Sequence, residues 1–101
     1  MSKVTDTYTM SIQVIQHGNA KIVLPITFPP SVEANTAFNI TYTTKNEGVS
    51  DTLYGHLLQG GSELSSSSWS QVIAPSGTLT KTYNHSGIAV NTSITIEVGH
   101  Q

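Results

Sequence analysis

The sequence predicts an all-β chain, folded as one antiparallel β-sandwich of about seven or eight strands. Valine, isoleucine and threonine together supply 31 of the 101 residues. These β-branched residues pack well on a pleated sheet but lose rotamer freedom in a helix. No long stretch repeats apolar residues at the spacing of an amphipathic helix. Clusters of Gly, Pro, Asn and Ser interrupt the chain about every 8–12 residues, which is the spacing of turns in a small sandwich.

Three segments alternate apolar and polar residues, the pattern of strands that bury one face and expose the other. In the first of them, Tyr8, Met10 and Ile12 share one face, whereas Thr9 and Ser11 share the other. We therefore predict a strand in each of the three segments, which span residues 8–14, 38–43 and 94–98.

Two further segments carry features that protect a sheet edge from pairing with another chain. Residues 20–28 are almost continuously apolar but contain Pro25, which has no N–H to donate, so we predict an edge strand or a bulge there. Residues 78–83 place Lys81 on the same face as apolar neighbours, and an inward-pointing Lys is a known edge-protecting device.

Residues 69–74 predict a short strand whose register the pattern leaves open.

Residues 52–58 predict a strand with two different apolar faces. If Leu53 and Leu57 face the core, Tyr54 and Leu58 must point outward on the opposite face. An exposed aromatic and aliphatic patch is typical of a surface that binds a protein partner. We therefore expect Tyr54 and Leu58 to contribute to partner binding.

The low charge of the chain excludes two classes of partner. Charged residues make up 10% of the sequence, with four Lys, no Arg and a net charge of −2. Tracking nucleic-acid phosphates or anionic lipids requires many cations, so we predict no nucleic-acid partner and no membrane association. No apolar run is long enough for a transmembrane helix, and the absence of cysteine excludes disulfides and thiolate chemistry. A polar surface with little charge suits packing against other protein subunits.

From residue 28 onward the chain resembles the CARDB family. Residues 29–48 run from a Pro-Pro turn through an alternating strand to an Asn-x-Gly turn. Residues 74–98 follow with a Pro-Ser-Gly turn, an alternating strand, a Gly-containing loop and a final alternating strand. CARDB modules are Ig-like, fibronectin-III-like sandwiches of surface and secreted proteins. The resemblance over residues 28–98 implies an Ig-like sandwich with a spacer or binding role and no catalytic residues.

The titratable and nucleophilic residues show no spacing typical of a catalytic or metal site. The four histidines lack the H-x-H or H-x₃-H spacing of metal ligands, although folding can bring distant ligands together. No G-x-S-x-G motif, phosphate-binding glycine loop or calcium-loop motif is present. We therefore predict no catalytic residue, no cofactor and no metal ion, and a chain that is not an enzyme. A small hydrolase, the alternative, would need a histidine–carboxylate cluster in a pocket. The histidines are His17, His56, His85 and His100.

Trp69 leaves two interpretations open. It is either a large side chain of the sandwich core or, together with several of the four tyrosines, a platform on which sugar rings stack. The first interpretation fits a small sandwich, which usually needs one or two large central side chains. The second would make the chain a carbohydrate-binding module.

The beginning of the chain bears on where the protein acts. No apolar segment of a secretory signal peptide follows Met1. We predict a flexible N-terminus at residues 1–6, followed by a single Ig-like domain at residues 7–101. A surface-type composition without a signal peptide is typical of subunits that reach the outside by assembly. We therefore expect a location in a virion or at an extracellular surface.

These observations favour a non-catalytic structural or interaction module, foremost a phage or archaeal-virus structural or decoration protein that binds neighbouring subunits. The N-terminal strand at residues 7–15 would pair with a neighbouring subunit by β-augmentation. Tyr8, Met10 and Ile12 therefore join the outward residues of the 52–58 strand as expected partner-binding residues. The expected partners are subunits of a capsid, tail or filament, further copies of this chain, or a glycan. The alternative function is that of a cell-surface adhesion or carbohydrate-binding module of a secreted protein.

Overall fold

A computed structural model of the chain describes residues 3–100, and within this range it contains seven β-strands and no helix. No helix in the described part is therefore long and apolar enough to cross a membrane. All strand pairs are antiparallel, which confirms the predicted fold class. The strands are β1 (Ala20–Thr27), β2 (Phe38–Asn46), β3 (Asp51–Gln59), β4 (Ser62–Glu63), β5 (Trp69–Ile73), β6 (Thr78–His85) and β7 (Ile94–His100).

The strands form two sheets that pack face to face. The first sheet has the order β1-β2-β6, so β2 lies in the middle and β1 and β6 are its edges. In the second sheet β3 is central. It pairs with β4 and β5 along one side and with β7 along the other. Among the described strands, β7 therefore has a single neighbour and forms the outer edge of the second sheet.

Both predicted edge strands lie at an edge. β1 pairs only with β2, and its register shifts between Val23 and Thr27, around Pro25, as expected for a residue that cannot join the ladder. β6 forms the opposite edge, and Lys81 is half-buried there opposite Tyr42 of β2. The two edges of the first sheet thus carry the protective features that the sequence indicated.

The core lies between β2 of the first sheet and β3 of the second. Leu53 and Leu57 are fully buried, which confirms the predicted inner face of the 52–58 strand. Ile40 and Tyr42 meet Leu57 from β2, with 5% and 2% of their surfaces exposed. Half-buried apolar residues of β7 pack against this cluster without being enclosed by it, namely Ile94, Ile96 and Val98.

Asn46 fastens the end of β2 to its surroundings through a fully buried side chain. Its Oδ1 accepts hydrogen bonds from the backbone N–H groups of Asn19 (3.0 Å) and Gly48 (2.9 Å). Its Nδ2 donates to the carbonyl oxygens of Val49 (2.7 Å) and Ile73 (2.8 Å). The Asn-x-Gly turn is thus an anchor that joins the first sheet to β5 of the second.

Residues 3–17, which we call the N-terminal arm, lie outside both sheets. Every residue of the arm is exposed and none belongs to a strand. The chain measures 85 × 24 × 21 Å, and 15 extended residues reach about 50 Å, which accounts for the long dimension. The structure differs here from the strand predicted at residues 8–14, because the arm finds no partner strand within residues 3–100.

Candidate functional site

An apolar groove opens along one side of the sandwich, between β1 of the first sheet and β7 of the second. Its volume is about 570 Å³. Ile40, a member of the core cluster, forms part of its lining, so the groove reaches into the core. Phe28 and Val90 on its rim are 58% and 75% exposed. The other apolar residues that line it include Ile26, Val32, Phe38, Ile88, Ile94 and Ile96.

β7 borders this groove with an edge that lacks the protective features of the other edges. β1 has Pro25 and a register shift, and β6 has the half-buried Lys81. The opposite edge of the second sheet is formed by the two-residue β4 and the five-residue β5. β7 is seven residues long, contains no Pro or Lys and shows no register shift against β3. Its outward backbone groups therefore form the edge best suited to accept another strand.

The N-terminal arm presents an apolar face without a partner. Tyr8 is 84% exposed, Met10 65%, Ile12 83% and Val14 80%. The residues between them are polar, so an extended arm has one apolar and one polar face. Three of the predicted partner-binding residues thus lie on one exposed segment whose sequence alternates as it does in a strand.

The other two predicted partner-binding residues occupy the outer face of β3. Tyr54 remains 37% exposed. Its ring lies against Gly99, where a Cβ atom would approach the ring to 2.9 Å, and meets the His56 ring edge-on. Leu58 is half-buried. This face therefore offers one exposed aromatic ring rather than a broad apolar patch.

Trp69 is neither fully buried in the core nor fully exposed on the surface. The indole is half-buried, and its Nε1 donates a hydrogen bond of 2.7 Å to the hydroxyl of the buried Tyr42. Burial raises the pKa of Tyr42 above its usual value, an effect that the indole hydrogen bond partly offsets. The ring also covers Gly55, where a Cβ atom would lie 2.6 Å from the indole nitrogen. The hydrogen bond to Tyr42 and the contact with Gly55 thus hold the Trp69 ring against the margin of the core.

His56 lies between two carboxylates on the outer face of the second sheet. Its Nε2 is 2.7 Å from a carboxylate oxygen of Glu97 on β7, and its Nδ1 is 3.0 Å from one of Glu63 on β4. The hydrogen bond to Glu97, reinforced by the negative charge of both acids, raises the pKa of His56. The group ties β4, β3 and β7 together across one face.

A second cluster joins residues that lie far apart in the sequence. His17, at the root of the arm, stacks on His100 at the end of β7 with 4.4 Å between the ring centroids. His17 Nδ1 is 3.8 Å from Asp51 Oδ2 at the start of β3. Ligand atoms of all three residues lie within 4.8 Å of one another. The spacing of the histidines does not predict this group, because only the fold brings together residues 34 and 49 positions apart.

The carboxylate of Asp51 is oriented by the backbone. Its Oδ2 accepts a hydrogen bond from the N–H of Gly18 at 2.8 Å, and its Oδ1 accepts one from the N–H of Thr52 at 2.8 Å. These two bonds, the first above all, lower the pKa of Asp51 below its usual value. Asp51 therefore presents an ionised carboxylate to the two imidazole rings.

Comparison with known proteins shows the fold. No protein-family model and no curated protein matches the chain. Among solved structures, the chain is similar to the CARDB domain of a Pyrococcus furiosus protein, solved in complex with di-metal ions. The two share 16% sequence identity with a TM-score of 0.69, over 85% of this chain and 77% of the other. The likeness confirms the Ig-like, CARDB-like sandwich that the sequence resemblance implied.

Proposed function

We propose that the chain is a non-catalytic structural subunit of an assembly in which the N-terminal arm of one copy adds as a strand to β7 of the next. One observation carries this proposal: within residues 3–100, an exposed, alternating arm that pairs with no strand and an open sheet edge beside an apolar groove belong to the same chain. The CARDB-like fold supports a non-enzymatic module. Addition of a strand to a sheet edge is an established mode of protein recognition.

The position beside β7 suits an added strand. In an Ig-type sandwich, the sheet built on the third strand carries a further strand on its outer edge. Within residues 3–100 that position next to β7 is unfilled, since β7 pairs only with β3. An arm strand there would satisfy the outward backbone N–H and C=O groups of β7.

The arm also suits the groove chemically. Its apolar face would cover Ile94 and Ile96, which are only half-buried, while its polar face would remain in water. Transfer of one Ile or Met side chain from water to an apolar site contributes about 1.5–3 kcal/mol. Several such side chains offset a large part of the entropy cost of ordering an extended arm.

A second copy is a better donor than the arm of the same chain. The arm leaves the body at His17, whose ring stacks on His100 at the end of β7. Folding back along β7 would need a sharp reversal at this point and would make the arm parallel to β7. The arm of another copy can enter in the antiparallel direction, which forms the more stable ladder.

Donation of an arm from each copy to the next is a head-to-tail interaction. Such interfaces generate rings if the rotation closes and open filaments if it does not. A filament, tail or shell of a virion, or a filament at a cell surface, is the setting that we propose for this subunit. Its low charge leaves little repulsion between successive copies.

The test is the mass of the untagged full chain as a function of concentration, measured by size-exclusion chromatography with light scattering. We expect species at multiples of the 10.8 kDa chain. Ile12→Asp, on the apolar face of the arm, should weaken association at least about tenfold, the equivalent of one lost apolar side chain. The matched control, Gln13→Asp, makes the same change of charge on the polar face and should associate nearly as well as the unaltered chain.

Two results would contradict the proposal. One is a monomer at every concentration, including millimolar protein. The other is an assembly that Ile12→Asp and Gln13→Asp weaken equally, because a charge effect alone would then explain the loss.

A further inference from the structure

We propose that His17, Asp51 and His100 form a binding site for one divalent transition-metal ion of the zinc type, at the root of the N-terminal arm. The three side chains come from the segment before β1, the start of β3 and the end of β7. This proposal is independent of self-assembly, because all three ligands belong to a single copy.

The distances are close to those of a metal site. Ligand atoms of the three residues lie within 4.8 Å of one another, whereas the ligands of a tetrahedral zinc ion are about 3.4 Å apart, given bonds of about 2.0–2.1 Å. The rings of His17 and His100 are exposed and stack with an angle of 16° between their planes. Small rotations of these two exposed side chains bring the donor atoms into range.

The donor set selects the class of metal. Two imidazole nitrogens and one carboxylate oxygen suit Zn²⁺, Ni²⁺ or Cu²⁺, whereas Ca²⁺ and Mg²⁺ prefer sites made entirely of oxygen. Three protein ligands leave one tetrahedral position for water or for an incoming group. We therefore expect zinc to bind and magnesium not to bind.

The surroundings of Asp51 resemble the support that metal-binding carboxylates receive. Backbone N–H groups of Gly18 and Thr52 hold one oxygen each, which fixes the orientation of the carboxylate. Hydrogen bonds of this kind to a ligating group strengthen metal sites. The same bonds favour the ionised form of Asp51, as its lowered pKa indicates.

A bound ion would fasten the arm to the second sheet. His17 is the last residue of the arm, and the other two ligands belong to strands of the second sheet. The free energy of metal binding would therefore add to the free energy of unfolding and would restrict the direction in which the arm leaves the body.

The experiment is titration of the untagged full chain with zinc chloride alone, followed by isothermal calorimetry and thermal unfolding. We expect one zinc ion per chain and a rise in Tm of several degrees at saturation, with no rise for magnesium chloride. His17→Gln and His100→Gln, both at exposed positions, should each weaken zinc binding at least about tenfold, in line with the loss of a ligand.

His56→Gln is the matched control, because His56 is the other histidine that contacts carboxylates. This variant should bind zinc as tightly as the unaltered chain. The proposal is overturned if zinc produces neither heat nor a change in Tm. It is also overturned if His17→Gln and His100→Gln bind zinc unchanged, or if His56→Gln is the variant that loses binding.

Discussion

Asn46→Ala removes the side chain that joins the two sheets at the end of β2. The amide makes four hydrogen bonds to backbone groups, of 2.7–3.0 Å, and is fully buried. In the alanine variant all four backbone groups lose their partner, and the carbonyl oxygen of Ile73 loses it at a buried position. The chemistry of the turn therefore predicts a large loss of stability from a small change of volume.

The size of the loss follows from the number of bonds. A typical hydrogen bond contributes about 0.5–1.5 kcal/mol net, and more is lost when its partner stays buried and unsatisfied. Four such bonds in Asn46→Ala amount to a loss of roughly 2–6 kcal/mol. Domains of this size unfold with a free energy of about 5–15 kcal/mol, so the variant is expected to be close to its stability limit at 37 °C.

Urea denaturation followed by tryptophan fluorescence measures this loss, because Trp69 is the only tryptophan. Asn84→Ala is the control: its amide donates one exposed hydrogen bond, to Asn39, and the loss should stay below about 1 kcal/mol. A loss below about 1 kcal/mol for Asn46→Ala would refute the role of Asn46 as a buried anchor.

Three further predictions concern single side chains. Thr44→Val should stabilise the fold by about 1 kcal/mol in the urea assay, because the hydroxyl of Thr44 is buried without a partner; a loss would show that this hydroxyl is hydrogen-bonded. Gly55→Ala should cost about 1–3 kcal/mol, since the new methyl group would overlap the indole of Trp69; unchanged stability would show that the indole moves away freely. The raised pKa of His56 means that its pairing with Glu97 stabilises the fold fully below about pH 6.5, and that this contribution is lost as the pH rises through the folded-state pKa. Compared with Glu97→Gln, the unaltered chain should thus have the larger stability advantage at pH 5.5 and the smaller one at pH 8.5; an advantage that is independent of pH would contradict the assignment.

The sequence predicts the strands of the sandwich well because period-two alternation reports directly which face is buried. Leu53 and Leu57 fall on the inner face, as their spacing indicates. Pro25 and Lys81 mark edges because each carries a physical obstacle to further pairing. The two-residue β4 is too short to show any alternation, and no strand is predicted there.

The same alternation misleads at the arm. Residues 8–14 have the pattern of a half-buried strand, yet they join neither sheet in the part of the chain that the structure describes. Alternation shows that a segment is suited to pair at a sheet surface, but it does not identify the chain to which that sheet belongs. An isolated alternating segment of this kind is thus a sign of pairing between chains.

The cluster of two histidines and one aspartate at the root of the arm cannot be predicted from the sequence, for a different reason. His17, Asp51 and His100 are brought together by the pairing of β3 with β7 and by the path of the chain into β1. No local spacing encodes such a meeting of three distant segments. A sequence signal for it would require covariation between these positions across related chains.

Hydrogen exchange of the β7 amides in the assembled protein tests self-assembly through the arm most directly. Within residues 94–99 of β7, about half of the amides point away from β3, and the described part of a single copy, residues 3–100, gives them no ladder partner. In the unaltered chain at an assembling concentration, they and the amides of residues 7–15 should become protected together, and Ile12→Asp should reduce the protection of both segments. Fast exchange in both segments, or protection confined to β5 or β6, would contradict donation of the arm to β7.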